Sequence, residues 1–419
     1  MNRYKQCFVD KIVEDCIQLF TSISKTGKPL ENEWTVLSCI IQYDAVSALH
    51  KVVALGTGSK CIGASKMSHL GNILNDSHAE VISRRGFLLY LYKNIQLCLE
   101  NKDSIFEIVE SQCKLKENIE FMFYSSQLPC GDASIIRKDD IENIGDIVLC
   151  SKRYAQDDVS NIQVKKPKSD VFRTGAKCLE NSKQDPKLPG IEYHLLGQVR
   201  TKPGRGDRTL SLSCSDKIAR WIHLGIQGSL ISLLIPEPIY IKHLIFGGGI
   251  PYSEDSLKRA LFTRDTYMEA KLGLSHHIYQ STITLPWIKT DKRIKPAPSS
   301  IIWVNINNGL SEVVVQGKKL GVTKKKETCP NNYLCISKYN LYKAFIEILD
   351  SNNKWYKICE NEDIKNIAYN DMKRRIMIKL IIINIRFDLF LNPSRVDEGW
   401  LNFKIPVRLR ATTEQCPTK

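Results

Sequence analysis

Apolar residues along the chain alternate between a helical and a strand-like rhythm. Phe8, Ile12, Cys16, Phe20 and Ile23 recur at helical spacing, which predicts an amphipathic helix across residues 5–23. Trp34–Tyr43 and Leu49–Leu55 are β-rich runs parted by a short polar break, as in a hairpin or meander. Gly56-Thr57-Gly58-Ser59-Lys60 closes the second run and reads as a turn, since a lone G-x-G is weak evidence for phosphate binding. A helix is expected from near Ser77 through Arg84, Arg85, Leu88, Leu89 and Leu91. Ile119–Ser125 predicts a strand that runs into Leu128-Pro129-Cys130-Gly131-Asp132-Ala133-Ser134.

Further along, Leu210–Leu212 precedes Ser213-Cys214-Ser215-Asp216-Lys217, and a helix follows through Arg220 and Trp221. Gly225–Leu230 opens an apolar segment, and Tyr240–Phe246 predicts another strand, closed by Gly247-Gly248-Gly249. Residues 288–298 read as a basic, proline-containing loop. Ile301–Val315 reads as a hairpin about Asn307-Asn308-Gly309, and Lys338–Leu349 as a helix. The stretch 151–190 differs in kind: polar, short of core residues and carrying Lys165-Lys166-Pro167-Lys168, it is expected to be a surface insertion, partly disordered. There is no internal repeat. Strands alternating with helices give an α/β fold with a mixed sheet.

Composition narrows the partner. The formal net charge of +15 on 419 residues suggests a polyanion such as nucleic acid, an anionic membrane or a phosphorylated ligand, although a merely solubilising basic surface fits the charge equally. Fourteen cysteines without a C-x-x-C pair, behind an N-terminus lacking an apolar leader core, point to free thiols in a reducing, intracellular compartment. They exclude a zinc ribbon or a thioredoxin-type motif. The most apolar run, Ile376–Ile385, contains Lys379 and is about half the roughly twenty residues a membrane span needs, so no membrane association is expected.

The chemistry centres on Asn75-Asp76-Ser77-His78-Ala79-Glu80. His78 is a candidate zinc ligand and Glu80 a candidate proton carrier. The same residues also read as a helix-capping box, with Ser77 as N-cap and Glu80 at the third helical position. A catalytic zinc takes three protein ligands and leaves one position for water. Cys130 and Cys214 are candidates for the other two, each in a Pro/Ser-Cys turn before a helix, where the helix end favours a thiolate. Taken singly, each cysteine reads as well as a small buried hydrophobe.

These pieces resemble the zinc-deaminase signature H-x-E followed by P-C-x-x-C, with Asp132-Ala133 where the second cysteine would fall and the missing cysteine displaced to Cys214. That departure resembles the adenosine-to-inosine RNA editing deaminases. Leu55–Cys61, Ser83-Arg84-Arg85, Arg200-Thr201-Lys202, Ser213–Trp221 and Gly225–Leu230 extend the resemblance in order across most of residues 30–285. Within that family, Arg173-Thr174-Gly175-Ala176-Lys177 and Pro203-Gly204-Arg205-Gly206-Asp207 resemble the transfer-RNA branch.

The resemblance implies a cytidine-deaminase-like fold occupying the whole chain as one domain. It implies a zinc ion on His78, Cys130 and Cys214, and Glu80 as the acid-base residue. The implied reaction converts adenosine to inosine just 3′ of the anticodon of eukaryotic alanine tRNA, with no obligate protein partner. The alternatives are an editor of other structured RNA and a catalytically silent RNA-binding relative. The resemblance also implies a structural inositol hexakisphosphate on Asn75, Arg84, Arg85, Lys217, Arg220, Ser229, Lys338, Tyr369 and Lys373. Asp76 and Lys202 would form a relay between it and the zinc. Substrate contacts are implied at Ser59, Lys60 and Arg205. Residues 375–419 form an atypical tail: the family's second Tyr-x-x-x-Lys is replaced by the apolar and basic run Arg374–Ile385, and Gly399-Trp400 and Lys404 resemble the family's closing element with one extra residue between them. The location, nucleus or cytoplasm, stays open, because basic clusters such as Lys324–Lys326 serve import or phosphate contact alike.

Overall fold

The computed structural model describes residues 4–141, 169–204, 206–263, 276–351 and 367–375. Residues 151–168, Arg205 and the tail from 376 onward, which carried sequence expectations, lie outside the described residues.

An eight-stranded mixed sheet carries the fold. Its strands in chain order are β1 (Leu37–Asp44), β2 (Leu49–Thr57), β3 (Ile119–Ser125), β4 (Ile241–Phe246), β5 (His277–Gln280), β6 (Ser299–Val304), β7 (Leu310–Val315) and β8 (Lys318–Lys319). In space they run β5-β4-β3-β1-β2-β6-β7-β8. β3, β4 and β5 are mutually parallel, and the remaining neighbours pair antiparallel. The expected hairpins form: Asp44 pairs with Leu49, and Val304 with Leu310 across a turn where Asn307, Asn308 and Gly309 all take positive φ.

Alternation along the strands builds a core on each face. One face takes Cys39, Ile41, Leu55, Met122 and Tyr124, and α1 (Gln6–Ser22) covers it with Val9, Ile12, Val13, Cys16 and Phe20. The other face takes Ile40, Val53, Ala54, Phe121, Phe123, Leu244 and Phe246. It is covered by α2 (Ala79–Leu99), α3 (Cys214–Leu224), α4 (Glu254–Leu261) and α5 (Lys338–Ser351). Each such aliphatic or aromatic side chain contributes about 1.5–3 kcal/mol on full burial. β1 to β3 are covered on both faces, so they read as apolar runs rather than clean alternation.

Two sequence expectations need correcting. The Gly56–Lys60 stretch is not a simple turn: β2 continues to Thr57, and Ser59–Cys61 forms a ribbon with Asp76–His78. Gly56 is there for close approach, since a Cβ would lie 2.5 Å from the Ala79 carbonyl and 2.6 Å from the Ser83 nitrogen of α2. The capping box does not form either. Ser77 is held extended opposite Lys60, α2 starts one residue later, and His78 is its N-cap without a side-chain capping bond. The 288–298 loop is as expected, except that Lys295–Pro296 pairs in parallel with Glu33–Trp34.

Candidate active site

The site gathers where the C-terminal end of β3 leads into Leu128–Ser134 and where α2 and α3 begin. In open sheets with parallel strands, the carboxyl ends of the strands are the usual place for ligands. His78 closes the ribbon and opens α2, and Glu80 lies on the first turn of that helix. Cys130 sits in the loop after β3, and Cys214 is the first residue of α3. The two cysteine segments are stitched together: Ser215 N donates to the Cys130 carbonyl (3.0 Å), and Cys214 N donates to Cys130 Sγ (3.4 Å). The crossing is possible because residue 131 is glycine. Its φ is +107°, and a Cβ would sit 2.2 Å from Ser213 Oγ.

Asp76 is the hub. Its buried carboxylate accepts from His78 Nδ1 (2.9 Å), from Lys202 Nζ (2.8 and 3.0 Å), from Ser211 Oγ (2.7 Å) and from Lys217 Nζ. Burial opposes its charge, but the two ammonium groups and His78 hold the carboxyl well below its usual range. Anchoring Nδ1 leaves Nε2 of His78 for the site. Burial and Lys202 work against a charge on His78, yet Asp76 outweighs them, and the imidazole is pushed up to about 9.

His78 and Cys130 are hydrogen-bonding neighbours, as are Cys130 and Cys214. The bond from Cys214 draws Cys130 well below the ordinary thiol range with help from Lys202, while burial and the Cys130 charge drive Cys214 up. Lys202, 1% exposed, donates to Cys214 Sγ at 3.1 Å and so joins the thiol pair to Asp76. Beside this group Glu80 is 3% exposed, and its Oε2 has no hydrogen-bond partner among the described residues. Burial, with the Cys130 charge, raises its carboxyl above the usual range against the pull of Lys202. Among the described residues, no three His, Cys, Asp or Glu side chains stand in closed ligand geometry. The donor chemistry nonetheless suits zinc: one imidazole nitrogen, two thiols and, next to them, a carboxyl with one unpaired oxygen.

Behind the hub lies a group of deeply placed cations. Arg84 donates to the Ile226 carbonyl (3.0 and 2.9 Å) and lies 5.6 Å from the Trp221 ring, while Arg85 Nε donates to the Ile336 carbonyl (2.7 Å). Burial, then Arg85 and Arg220, bring Arg84 down to about 9. Burial, then Arg85, Lys373 and Lys217, bring Lys338 down to about 7. Arg220 is lowered by burial, and Tyr369 acts on both Arg84 and Arg85. Lys373 lies over the Tyr369 ring at 5.3 Å. Arg84, Arg85 and Lys338 keep part of their surface accessible despite this depth, so they line a recess. Cations this deep need an anionic partner, which makes the recess fit a highly charged anion. Lys217 spans the recess and the hub.

Four implied residues stand apart from this group. Asn75 adjoins Asp76, and its carbonyl accepts from Ile62 N at 3.1 Å. Ser229 follows Gly228, whose α-carbon faces the Arg84 guanidinium. Ser59 and Lys60 lie opposite His78 and Ser77 in the ribbon, where the Lys60 carbonyl is 3.2 Å from His78 Nδ1.

Several structural partners escaped the sequence reading. Arg200, fully buried, makes a bidentate ion pair with Asp185 (2.6 and 2.7 Å) and donates to the Leu195 carbonyl (2.7 Å). Asp185 also accepts from His194 Nδ1 at 2.9 Å, and the Arg200 backbone nitrogen donates to Asp216 at 3.0 Å. Arg200 stood in a quoted motif and could have been found there. Asp185, inside a polar stretch, gave no signal. Asp207 accepts from the Ser65 nitrogen at 3.0 Å and ties its segment to the loop that follows Cys61.

An imidazole and a thiol at the starts of two helices, a second thiol in the loop after β3, and a buried carboxyl with one unpaired oxygen beside them make up the functional set used by hydrolytic nucleobase deaminases. Comparison with known families agrees: residues 54–377 match the adenosine-deaminase (editase) domain, and the chain belongs to that family. It is similar to tRNA-specific adenosine deaminase 1 of Drosophila melanogaster, 38% identical over 385 residues covering 88% of this chain and 90% of that protein. It is 32% identical to tRNA-specific adenosine deaminase 1 of Homo sapiens, over 83% of this chain and 90% of the relative. The double-stranded RNA-specific adenosine deaminase of Mus musculus is 31% identical over 62% of this chain and 21% of its own length.

Proposed function

We propose that this protein hydrolytically deaminates adenosine to inosine in tRNA, at the adenosine just 3′ of the anticodon, with alanine tRNA as substrate. The observation that carries the chemistry is Glu80, buried and with one carboxyl oxygen unpaired, beside His78, Cys130 and Cys214. The tRNA assignment is supported by the similarity to tRNA-specific deaminases along most of both chains.

His78, Cys130 and Cys214 would hold zinc, whose Lewis acidity makes water a nucleophile at neutral pH. The chain's own groups do the proton work. Glu80 takes one proton from the attacking water and delivers it to adenine N1, where it stays, and then carries the second proton, from the new C6 hydroxyl, to the 6-amino group as the C6–N bond breaks. Adenosine and water give inosine and ammonia. Asp76 fixes the imidazole through Nδ1, and Lys202 stabilises the thiolate charge. An anticodon-loop base is unpaired and therefore cheap to extrude into such a pocket.

The recess behind the hub would hold inositol hexakisphosphate through Arg84, Arg85, Lys217, Arg220, Lys338 and Lys373, with Tyr369, Asn75 and Ser229 at its edge. Asp76 and Lys202 then link it to the catalytic group. No described helix is long and apolar enough to cross a membrane.

Incubation of the purified protein with alanine tRNA, followed by mapping of inosine, tests the reading. Inosine beside the anticodon is expected. Conversion confined to duplex RNA would replace tRNA with another structured RNA, and no conversion in either would mark a silent relative.

A further inference from the structure

The catalytic ribbon is interrupted by an excursion that returns to its starting point. Residues 62–75 leave Cys61 and come back to Asp76, and Ile62 N donates to the Asn75 carbonyl at 3.1 Å, closing the base. One flank of the excursion holds residues 207–208: Ala64 N donates to the Arg208 carbonyl (2.8 Å) and Ser65 N to Asp207 (3.0 Å). The other flank holds residues 317–327: Leu74 N donates to the Gly317 carbonyl (2.8 Å) and Asn72 Nδ2 to the Glu327 carbonyl (3.3 Å). One continuous surface therefore runs from the rim of the site, across Lys66, to the helical turn Lys324–Lys326.

Charge on this surface is unbalanced in a particular way. Its acidic groups are engaged: Asp207 on Ser65, and Glu327 on Lys318 at 2.6 Å. Arg208 is engaged too, on Glu180. Lys66, Lys324, Lys325 and Lys326 are exposed and form no ion pair among the described residues. Cations held on a short rigid turn, with nearby carboxylates already used, suit a repeating polyanion better than a single small ion.

We infer that Lys66 and Lys324–Lys326 form a phosphate-binding strip that grips a helical segment of the substrate RNA flanking the loop whose base enters the site. The inference rests on the tRNA reading above and adds where the body of that RNA lies. The strip starts at the rim and leads away along the excursion, so an RNA with its loop at the hub lays its stem backbone across these lysines. The contact is sequence-independent.

The test is tRNA binding at increasing salt, by filter retention or anisotropy, for the wild type, K324A/K325A/K326A and K324R/K325R/K326R. A charge-matched control removes Lys5, Lys25 and Lys51, which flank α1 or the far end of β2. By analogy with duplex DNA, each phosphate contact steepens the affinity loss about 3.5-fold over a fourfold rise in salt, so loss of all three makes the alanine variant's salt-induced drop about 40-fold smaller. The arginine variant and the control should follow the wild type. The alanine variant's deficit should vanish on an unpaired oligonucleotide of the loop sequence. An alanine variant matching wild type on tRNA, or a control flattened to the same degree, would overturn the inference. Equal deficits on tRNA and the unpaired oligonucleotide would overturn the assignment to a helical segment. Binding needs no turnover, so a failure to form inosine would sink the deaminase reading alone.

Discussion

Replacing Asp185 tests how far the segment that carries Lys202 depends on a pair of charges outside the site. Arg200 is fully buried, and its guanidinium is neutralised by Asp185 through bonds of 2.6 and 2.7 Å. Asp185→Ala leaves that cation buried with only the carbonyls of Ala176 and Leu195 as acceptors. Breaking a buried pair in this way costs about 3–5 kcal/mol; because Asp185 itself is not fully sequestered, about 3 kcal/mol is expected. Spread over the unfolding entropy of a chain this size, that lowers the melting temperature by about 3–5 °C. The loss is pH-dependent. Burial opposes ionisation of Asp185, but Arg200 and His194 hold its carboxyl below the usual range. Its stabilising contribution is therefore fully present above the unfolded value of about 4 and is lost as pH falls through the lower folded value. Wild type and variant melting curves should differ at pH 7 and converge toward acid. Activity should fall with stability, since Arg200 precedes Lys202 by two residues and its nitrogen holds Asp216 at the start of α3. Calorimetry or near-ultraviolet melting from pH 7 to pH 3 is the assay. A variant with wild-type melting at pH 7, or a gap that does not narrow in acid, would refute the reasoning.

Glu80→Gln should retain about one zinc per chain by metal analysis while turnover drops about a thousandfold; activity within tenfold of wild type would remove Glu80 from proton transfer. Gly131→Ala puts a Cβ 2.2 Å from Ser213 Oγ in a left-handed backbone conformation, and thermal unfolding should show a loss of about 2 kcal/mol or more. Lys338, held down to about 7 by burial and its cationic neighbours, should take up a proton when a polyphosphate enters the recess. Affinity for inositol hexakisphosphate should therefore weaken as pH rises through about 7. Calorimetry in buffers of different ionisation enthalpy should show proton uptake in the wild type and less in Lys338→Met; equal uptake in both would place the titrating group elsewhere.

The regular elements were legible because their apolar periods are strong: α1, the β1–β2 hairpin, β3, β4, the β6–β7 hairpin and α5 fall where the pattern put them. The pattern failed where tertiary contact decides local shape. Ser77 has a good capping side chain, yet strand pairing with Lys60 keeps it extended, and Asp76 claims the neighbouring imidazole. Gly56 and Gly58 look like a turn in one dimension, but the pressure of α2 on Gly56 is a three-dimensional fact. The clustering of His78, Cys130 and Cys214 carried no spacing signal of its own and was reached through family resemblance. The Asp185–Arg200 pair was not reached at all, because a polar stretch gives no sign of which carboxylate will be buried.

The order of the sheet has a consequence for how the molecule comes into being. β6, β7 and β8 are made late, yet they line up beside β2, made early. Ser300 on β6 donates to the carbonyl of Ser77, one residue before the imidazole of the catalytic ribbon. Leu74 waits for Gly317, and Arg85 for Ile336. A growing chain therefore carries His78, Cys130 and Cys214 out of the ribosome long before the framework that aims them is complete, because long-range pairings of this kind form late. The centre has its full framework only once the chain extends past Ile336, so a product cut short before that point would hold every reactive side chain without the contacts that aim them.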